Sequence, residues 1–257
     1  MVRLPVSGLD LTLRQPAGAE DILLLETPAN DAGLALKLVS RLAESIDRTV
    51  VNWGDLSVSD LEFLLLILRQ IVFGDWIGTD AICPAPWCGK RVDVSFRISD
   101  YLSHHVPRRS PTVTCTETPG WFQLRNTAVT FRLPTVADRI AIAYHPQPEQ
   151  ELRQRCIKPG DISAKLRRRV ETAMAALAPN LSDDLQGQCV ECGTAVTMFF
   201  DVEQFTLQEL RRQAAFIYEE VHLLASSYKW SEDAILALPH HRRQQYAERV
   251  RQAWRSA

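Results

Sequence analysis

Two short stretches, far apart in the chain, constrain this protein more than anything else in its sequence: Ala81-Ile82-Cys83-Pro84-Ala85-Pro86-Trp87-Cys88-Gly89 and Gly187-Gln188-Cys189-Val190-Glu191-Cys192-Gly193. Each holds a close pair of cysteines followed directly by glycine. Each then runs into a strand-like alternation, in which Val92, Val94 and Phe96 answer to Val196, Met198 and Phe200. Counted from the second cysteine of each pair, the apolar positions coincide. Two close pairs of thiolates are what a tetrahedral zinc ion requires, because one tight turn presents two sulfurs and a second turn completes the shell. Glycine after each pair lets the turn take a positive φ at low cost. Cys83, Cys88, Cys189 and Cys192 are therefore the candidate ligands, and an all-cysteine shell leaves no position for water, so the metal would be structural. Coincidental free thiols and a redox dithiol are the alternatives. The shared register counts against the first, and the lack of a thioredoxin-like strand and helix pattern against the second.

A chain of 257 residues with 46% hydrophobic side chains can bury a core in one large domain or two small ones. With 29 basic against 31 acidic side chains, the net charge of -2 gives no field that would draw it to nucleic acid or to an anionic membrane. No apolar run approaches about 18 residues, and Met1 to Asp10 lacks the order of a signal peptide. The expected location is the cytoplasm, where six cysteines serve as thiols rather than disulfides. Cys115 and Cys156 read as ordinary small thiols.

The expected fold class is α+β, mainly helical with short β-hairpins, two of which form a zinc-ribbon-like four-cysteine site. Residues 1–20 read as an irregular arm or edge strand, 21–205 as the zinc-centred domain, and 206–257 as a C-terminal helical docking segment. Ile22 to Leu25 is a short apolar run of the kind that makes a buried strand. Asp31 and Ser57 or Ser59 are placed to cap helices over about 31–44 and up to Gly74. Residues 101–120 read as a loop and 121–133 as an inserted hairpin turning at Asn126-Thr127. Thr135 and Ser163 begin further helices. His104 and His105 read as solvated loop residues beside a complete cysteine set. Three helices are expected from Val202 to Trp254, with Ser231 capping the second and Pro239 opening the third.

Several of these stretches resemble a known family. Ser57-Val58-Ser59-Asp60-Leu61 through Leu68-Arg69-Gln70, Gly74, Cys83-Pro84, Cys88-Gly89 and Val92-Asp93-Val94 are similar to the baseplate hub assembly proteins of T-even-type phages. Ala175 to Pro179, Cys189-Val190-Glu191-Cys192-Gly193 and Phe199-Phe200-Asp201 match that family's second cysteine turn. The two extra residues in the first turn and the missing proline after Cys189 depart from its pattern. Tyr218 to Ala225, Trp230 to Pro239 and Arg242-Arg243-Gln244-Gln245-Tyr246 resemble a short box in tail-assembly and baseplate proteins of phages and contractile injection systems. The resemblance implies a non-enzymatic assembly factor or structural part of a contractile tail's baseplate hub, working in the bacterial cytoplasm during assembly or in the finished particle. Its partners would be other baseplate or tail hub proteins, with no small-molecule substrate and no membrane. Trp230, Arg242, Arg243, Tyr246 and Trp254 are the candidate partner-binding residues, since an apolar stripe flanked by arginines suits a partner's groove.

A zinc-containing nucleic-acid-binding protein is the alternative, disfavoured by the near-neutral charge and the absence of a recognition-helix motif. An enzyme is a third class. The sequence has no phosphate-binding glycine loop, no Gly-x-Ser-x-Gly elbow and no His-Glu-x-x-His pair.

Overall fold

The structure is a computed structural model that describes residues 1–47 and 49–255. Its opening residues take the edge-strand option: β1 (Val2–Arg3) and β2 (Asp10–Leu13) pair antiparallel, with Leu4 and Leu11 buried. The next element corrects the sequence reading. Ile22 to Leu25 lie in a helix, α1 (Gly18–Glu26), not a strand. A run this short fits either state, and the deciding residue is Glu20, whose carboxylate accepts from the Ala17 amide at 2.9 Å and from Arg14 at 2.8 Å, closing the first turn. α2 (Ala32–Leu42) begins at the expected cap, Asp31, and buries Leu34, Leu38, Val39 and Leu42. It runs into β3 (Ala43–Ser45), which completes a three-stranded sheet in the order β1-β2-β3.

After a single 3-10 turn at Trp53–Asp55 comes α3 (Val58–Phe73), capped by Ser57 and apolar on nearly every side. Such a helix has to be covered all round. α2 lies on one flank, and Asp60 in its first turn accepts from the Val6 and Ser7 amides at 3.0 and 2.9 Å, pinning the turn between β1 and β2. β4 (Trp76–Ile82) and β5 (Arg91–Arg97) form the first cysteine hairpin.

The stretch 101–120 is more ordered than its composition suggests. It begins inside α4 (Ile98–His104) and includes β6 (Val113–Cys115), which joins β7 (Trp121–Leu124) and β8 (Thr130–Arg132). Isolated propensity could not show this, because β6 exists only by pairing with β7. The expected turn at Asn126 is present, with φ of 60°. α5 (Val136–Ile142) is capped by Thr135, and α6 (Pro148–Cys156) leads to β9 (Ile157–Lys158), the fourth strand of this small sheet. α7 (Ala164–Leu177) covers it. Leu124, Phe131, Cys156, Ile157 and Val170 make a second, smaller core.

β10 (Asp183–Gln188) and β11 (Ala195–Phe200) form the second cysteine hairpin. The chain then makes α8 (Val202–Ala214), α9 (Ile217–Tyr228), α10 (Glu232–Leu236) and α11 (His240–Arg255), four helices where three were expected. The break falls at Ala215-Phe216, between two helical stripes that face different neighbours. α8 packs on α1 and α3 and adds Leu207, Leu210 and Ala214 to the main core. α9 packs with α10 and α11 around Leu223, Leu224, Ile235, Ala247 and Val250. No helix among the described residues is long and apolar enough to cross a membrane. The architecture is α+β, as the sequence indicated.

Candidate metal centre

The matched register read from the sequence is realised as a matched pair of substructures. Each hairpin carries a phenylalanine two residues before the helix that follows it, so that Phe96, Ile98 and Tyr101 correspond to Phe200, Val202 and Phe205. These residues meet across the junction. The rings of Phe96 and Phe200 lie edge to face with centroids 5.3 Å apart, Phe96 contacts Tyr101 at 5.2 Å, and Phe200 contacts Phe205 at 5.3 Å. Ile98 and Val202 are both fully buried.

At the other end of the hairpins the two cysteine turns converge. The Cys83 amide donates to the Lys90 carbonyl at 2.8 Å, and the Cys189 amide to Thr194 at 2.9 Å, so each strand pair closes on its first cysteine. Gly89 and Gly193 take φ of 55° and 71°, as their places after the pairs predict. The two extra residues of the first turn are accommodated between ligand and turn. Gly193 donates to the first cysteine of its pair, Cys189, at 2.8 Å, whereas Gly89 donates to Ala85 at 3.1 Å, leaving Cys83 and Pro84 upstream of an otherwise similar turn.

The four sulfurs all lie within 4.8 Å of one another. Cys83 Sγ is 3.6 Å from Cys192 Sγ, and Cys88 Sγ is 3.8 Å from Cys189 Sγ, far longer than the roughly 2.05 Å of a disulfide. This cluster can hold a metal ion. Ala81, Ala85, Val92 and Val196 wall it, with Cys83 and Cys189 buried and Cys192 at the surface. The walls make ionisation uneven. Although the backbone at Ala85 favours its thiolate, burial and the neighbouring sulfurs push Cys83 up to about 12, while the Thr194 hydroxyl and amide draw Cys192 down to about 6. Thiols so placed resist collective deprotonation unless a cation joins them.

The remaining thiols and the histidines stand apart from this cluster. Cys115 is exposed. Cys156 is buried beside Asp138, and burial pushes it up to about 11. His104 Nδ1 lies 2.7 Å from the Asp100 carbonyl and His105 Nδ1 lies 2.8 Å from that of Tyr101, so both are tied to the last turn of α4.

The five candidate partner-binding residues divide into three kinds. Arg242 is exposed, and Trp254 keeps 58% of its surface in solvent. Trp230 and Tyr246 are half-buried, edge to face at 5.1 Å, with Tyr228 stacked on Trp230 at 5.0 Å. Arg243 departs from the expected surface position: it is fully buried, hydrogen-bonded to Asp21, to Glu220 at 2.6 Å and to the Leu238 carbonyl at 3.3 Å. Its reason for being inside is charge, because α1 and α9 each bring one buried carboxylate to the same point. Gly18 permits the approach; a Cβ there would stand 2.7 Å from Leu236 and 3.0 Å from Arg243. No local pattern around Asp21 or Glu220 signals these roles.

Comparison with known proteins bears on the first part of the chain. A family model described as T4 bacteriophage base plate protein matches residues 1–159, which include Cys83 and Cys88 but not Cys189, Cys192 or the C-terminal helices. No curated protein and no solved structure matches. With well over half of its length matched, the chain belongs to the T4 bacteriophage base plate protein family.

Proposed function

We propose that this protein is a non-enzymatic assembly factor or structural component of the baseplate hub of a contractile phage tail or phage-tail-like injection system, stabilised by one structural zinc. The observation that carries the reading is the family match over residues 1–159. Membership supports a structural or assembly role in a baseplate. The hub, the contractile tail and the zinc are the finer parts of the proposal.

Zinc is supported by the fit of the sulfurs. A tetrahedral ion with Zn–S bonds of about 2.3 Å has sulfur edges of about 3.8 Å. The facing pairs here stand at 3.6 and 3.8 Å. Bound by Cys83, Cys88, Cys189 and Cys192, the ion would supply a crosslink between two hairpins that share no backbone pairing. The chain's own contribution is to close each turn on its glycine and to wall the sulfurs with small apolar side chains. A nearly neutral chain offers little to nucleic acid, so the zinc-containing nucleic-acid-binding alternative is not preferred.

Docking is assigned to the C-terminal helices, with Arg242, Trp254 and the accessible edges of Trp230 and Tyr246 as the contacting surface and Arg243 as the clamp that holds α11 in place. The domain division follows the same reading. The arm at 1–20 belongs with the metal-centred body, since β2 pairs with β3 and Leu4 and Leu11 lie in the main core, and the docking segment starts at the Ala215-Phe216 break, since α8 continues through residue 206 into that core.

The test is co-assembly. Tagged full-length protein, expressed with the other genes of its tail cluster, should co-purify with baseplate components, and deleting its gene should stop tails from acquiring baseplates. Normal baseplates in the deletion strain would sink the reading.

A further inference from the structure

A cavity of about 260 Å³ opens between α2, α5 and α8, outside the metal centre and the docking helices. Its walls are apolar, from Ala32, Ile142, Ala143 and Pro148, and the exposed ring of Tyr144 stands at its lip. Glu203 lines it. That carboxylate belongs to a residue only 4% exposed, and its Oε2 atom has no hydrogen-bond partner among the described residues. The nearest cation, Arg139 Nη1, is 3.7 Å away and donates instead to Glu62 at 3.0 Å. Glu62 is itself fully engaged, accepting from the Leu181 amide and the Ser182 hydroxyl as well.

One guanidinium is thus shared between two buried carboxylates and satisfies one of them. Asp31, at the cap of α2, lines the same cavity and adds a further negative charge. A buried carboxylate beside a cavity, with one oxygen lacking any hydrogen bond and its one cation shared with Glu62, is only partly compensated. The lining selects the shape of what would complete the compensation: an apolar stem against the alanines, isoleucine and proline, a cationic head at Glu203, and an aromatic face at the entrance suited to a passing cation.

We propose that this cavity receives a lysine or arginine side chain from a neighbouring baseplate protein, its cationic head pairing with Glu203. That the source is a baseplate protein rests on the proposed function; the preference for a cation on an apolar stem does not. The state of Glu203 agrees: burial, then Asp201, Glu62 and Asp31 against the pull of Arg139, pushes it up to about 7. Pairing with a cation would restore its charge, so occupancy should strengthen as pH rises toward 8.

The experiment uses full-length protein labelled at isoleucine methyl groups and titrated at pH 8 with Nα-acetyl-lysine N-methylamide. Saturable shifts at Ile140 and Ile142 are expected, weakened about tenfold or more by Glu203→Gln, and also by replacing the probe with its neutral norleucine counterpart. Glu203→Gln is close in shape and breaks no hydrogen bond, and its methyl spectrum reports whether it is folded. Asp31→Asn, which preserves the helix cap, should weaken binding by a smaller factor and serves as the second variant. Equal binding of the norleucine probe, undiminished binding by both variants, or no saturable shift with the lysine probe would overturn the site. Tighter binding of putrescine than of the lysine probe would overturn the protein source in favour of a small diamine. The baseplate reading fails or survives separately, through co-assembly.

Discussion

Phe96 and Phe200 occupy corresponding places at the ends of the two cysteine hairpins and meet edge to face, 5.3 Å between centroids, at the opposite end of those hairpins from the sulfurs. The two cysteine hairpins therefore meet twice, by aromatic packing at one end and by the cluster of four sulfurs at the other. Phe200 is buried and Phe96 only half so. Phe200→Ala should cost about 3–5 kcal/mol in urea unfolding and Phe96→Ala less, with a coupling of about 0.5–1.5 kcal/mol in the double-mutant cycle. Simple additivity would mean that the ring contact carries no energy of its own.

Metal content is the second expectation. Protein purified without chelator should contain one zinc per chain by elemental analysis, and Cys192→Ser should lose the ion together with several kcal/mol of stability. A Cys192→Ser protein that holds no metal yet melts like the parent would remove the structural role.

Thiol reactivity gives an independent count. In the native metal-loaded protein a thiol reagent at pH 8 should modify exposed Cys115 alone, because Cys156 is buried and held up to about 11. Chelation should release Cys83, Cys88, Cys189 and Cys192 to the reagent. Reactivity of Cys83, Cys88, Cys189 and Cys192 like that of Cys115 without chelator would mean that no metal protects the cluster.

Arg243 and its neighbours on α11 should separate stability from docking. Arg243→Met leaves Asp21 and Glu220 without their shared cation and should cost about 3–5 kcal/mol. Arg242→Ala and Trp254→Ala should leave the melting temperature nearly unchanged and weaken capture of the baseplate partner. Deleting Pro239 to Ala257, part of the stretch that the sequence reads as a docking segment, should be destabilising because it strands the same two carboxylates. Unchanged melting in the deletion would show that the clamp contributes nothing.

Glu203 supplies the pH dependence. Its carboxyl rises from an ordinary 4.5 to about 7 on folding, so the folded chain holds this proton more tightly than the unfolded chain. Between those values stability contributed by this group falls as pH rises, and it is constant on either side. Glu203→Gln should therefore match the parent near pH 4, overtake it through the window, and stay ahead above pH 7 by on the order of 1 kcal/mol once solvent screening is allowed for. A pH-independent difference would show that Glu203 does not titrate in that window.

The legible parts of this molecule were those written in local chemistry. Asp31, Ser57, Thr135, Ser163 and Ser231 each accept from an amide three residues on, where their positions before apolar periodic runs placed them. The hairpin register was legible because the same spacing from the second cysteine to the apolar positions occurs twice. Features set by distant partners were not. Residues 22–25 are helical because Glu20 closes a turn and α8 covers the apolar face, and β6 and β9 are strands only because β7 and β8 lie beside them. Arg243 looked like a surface residue in a run of arginines, and what buries it comes from Asp21, 222 positions away. The open carboxylate of Glu203 was equally out of reach, since it depends on Arg139 turning toward Glu62.

The order in which the sulfurs leave the ribosome follows from the separation of the two hairpins. Cys189 comes 101 positions after Cys88, and at about 5–20 residues per second the first pair waits roughly 5–20 s before its complement is made. During that interval the nascent chain carries an open dithiol, able to take up a metal ion only weakly or to be oxidised. A closed four-sulfur shell can form only after the intervening sheet and α7 have been synthesised, so the ion would enter late, although still ahead of α8 and the helices that follow it. A chain stalled or cleaved before Cys189 would carry only the first cysteine pair and no tightly held ion, a chemical difference from any copy extended past Cys192.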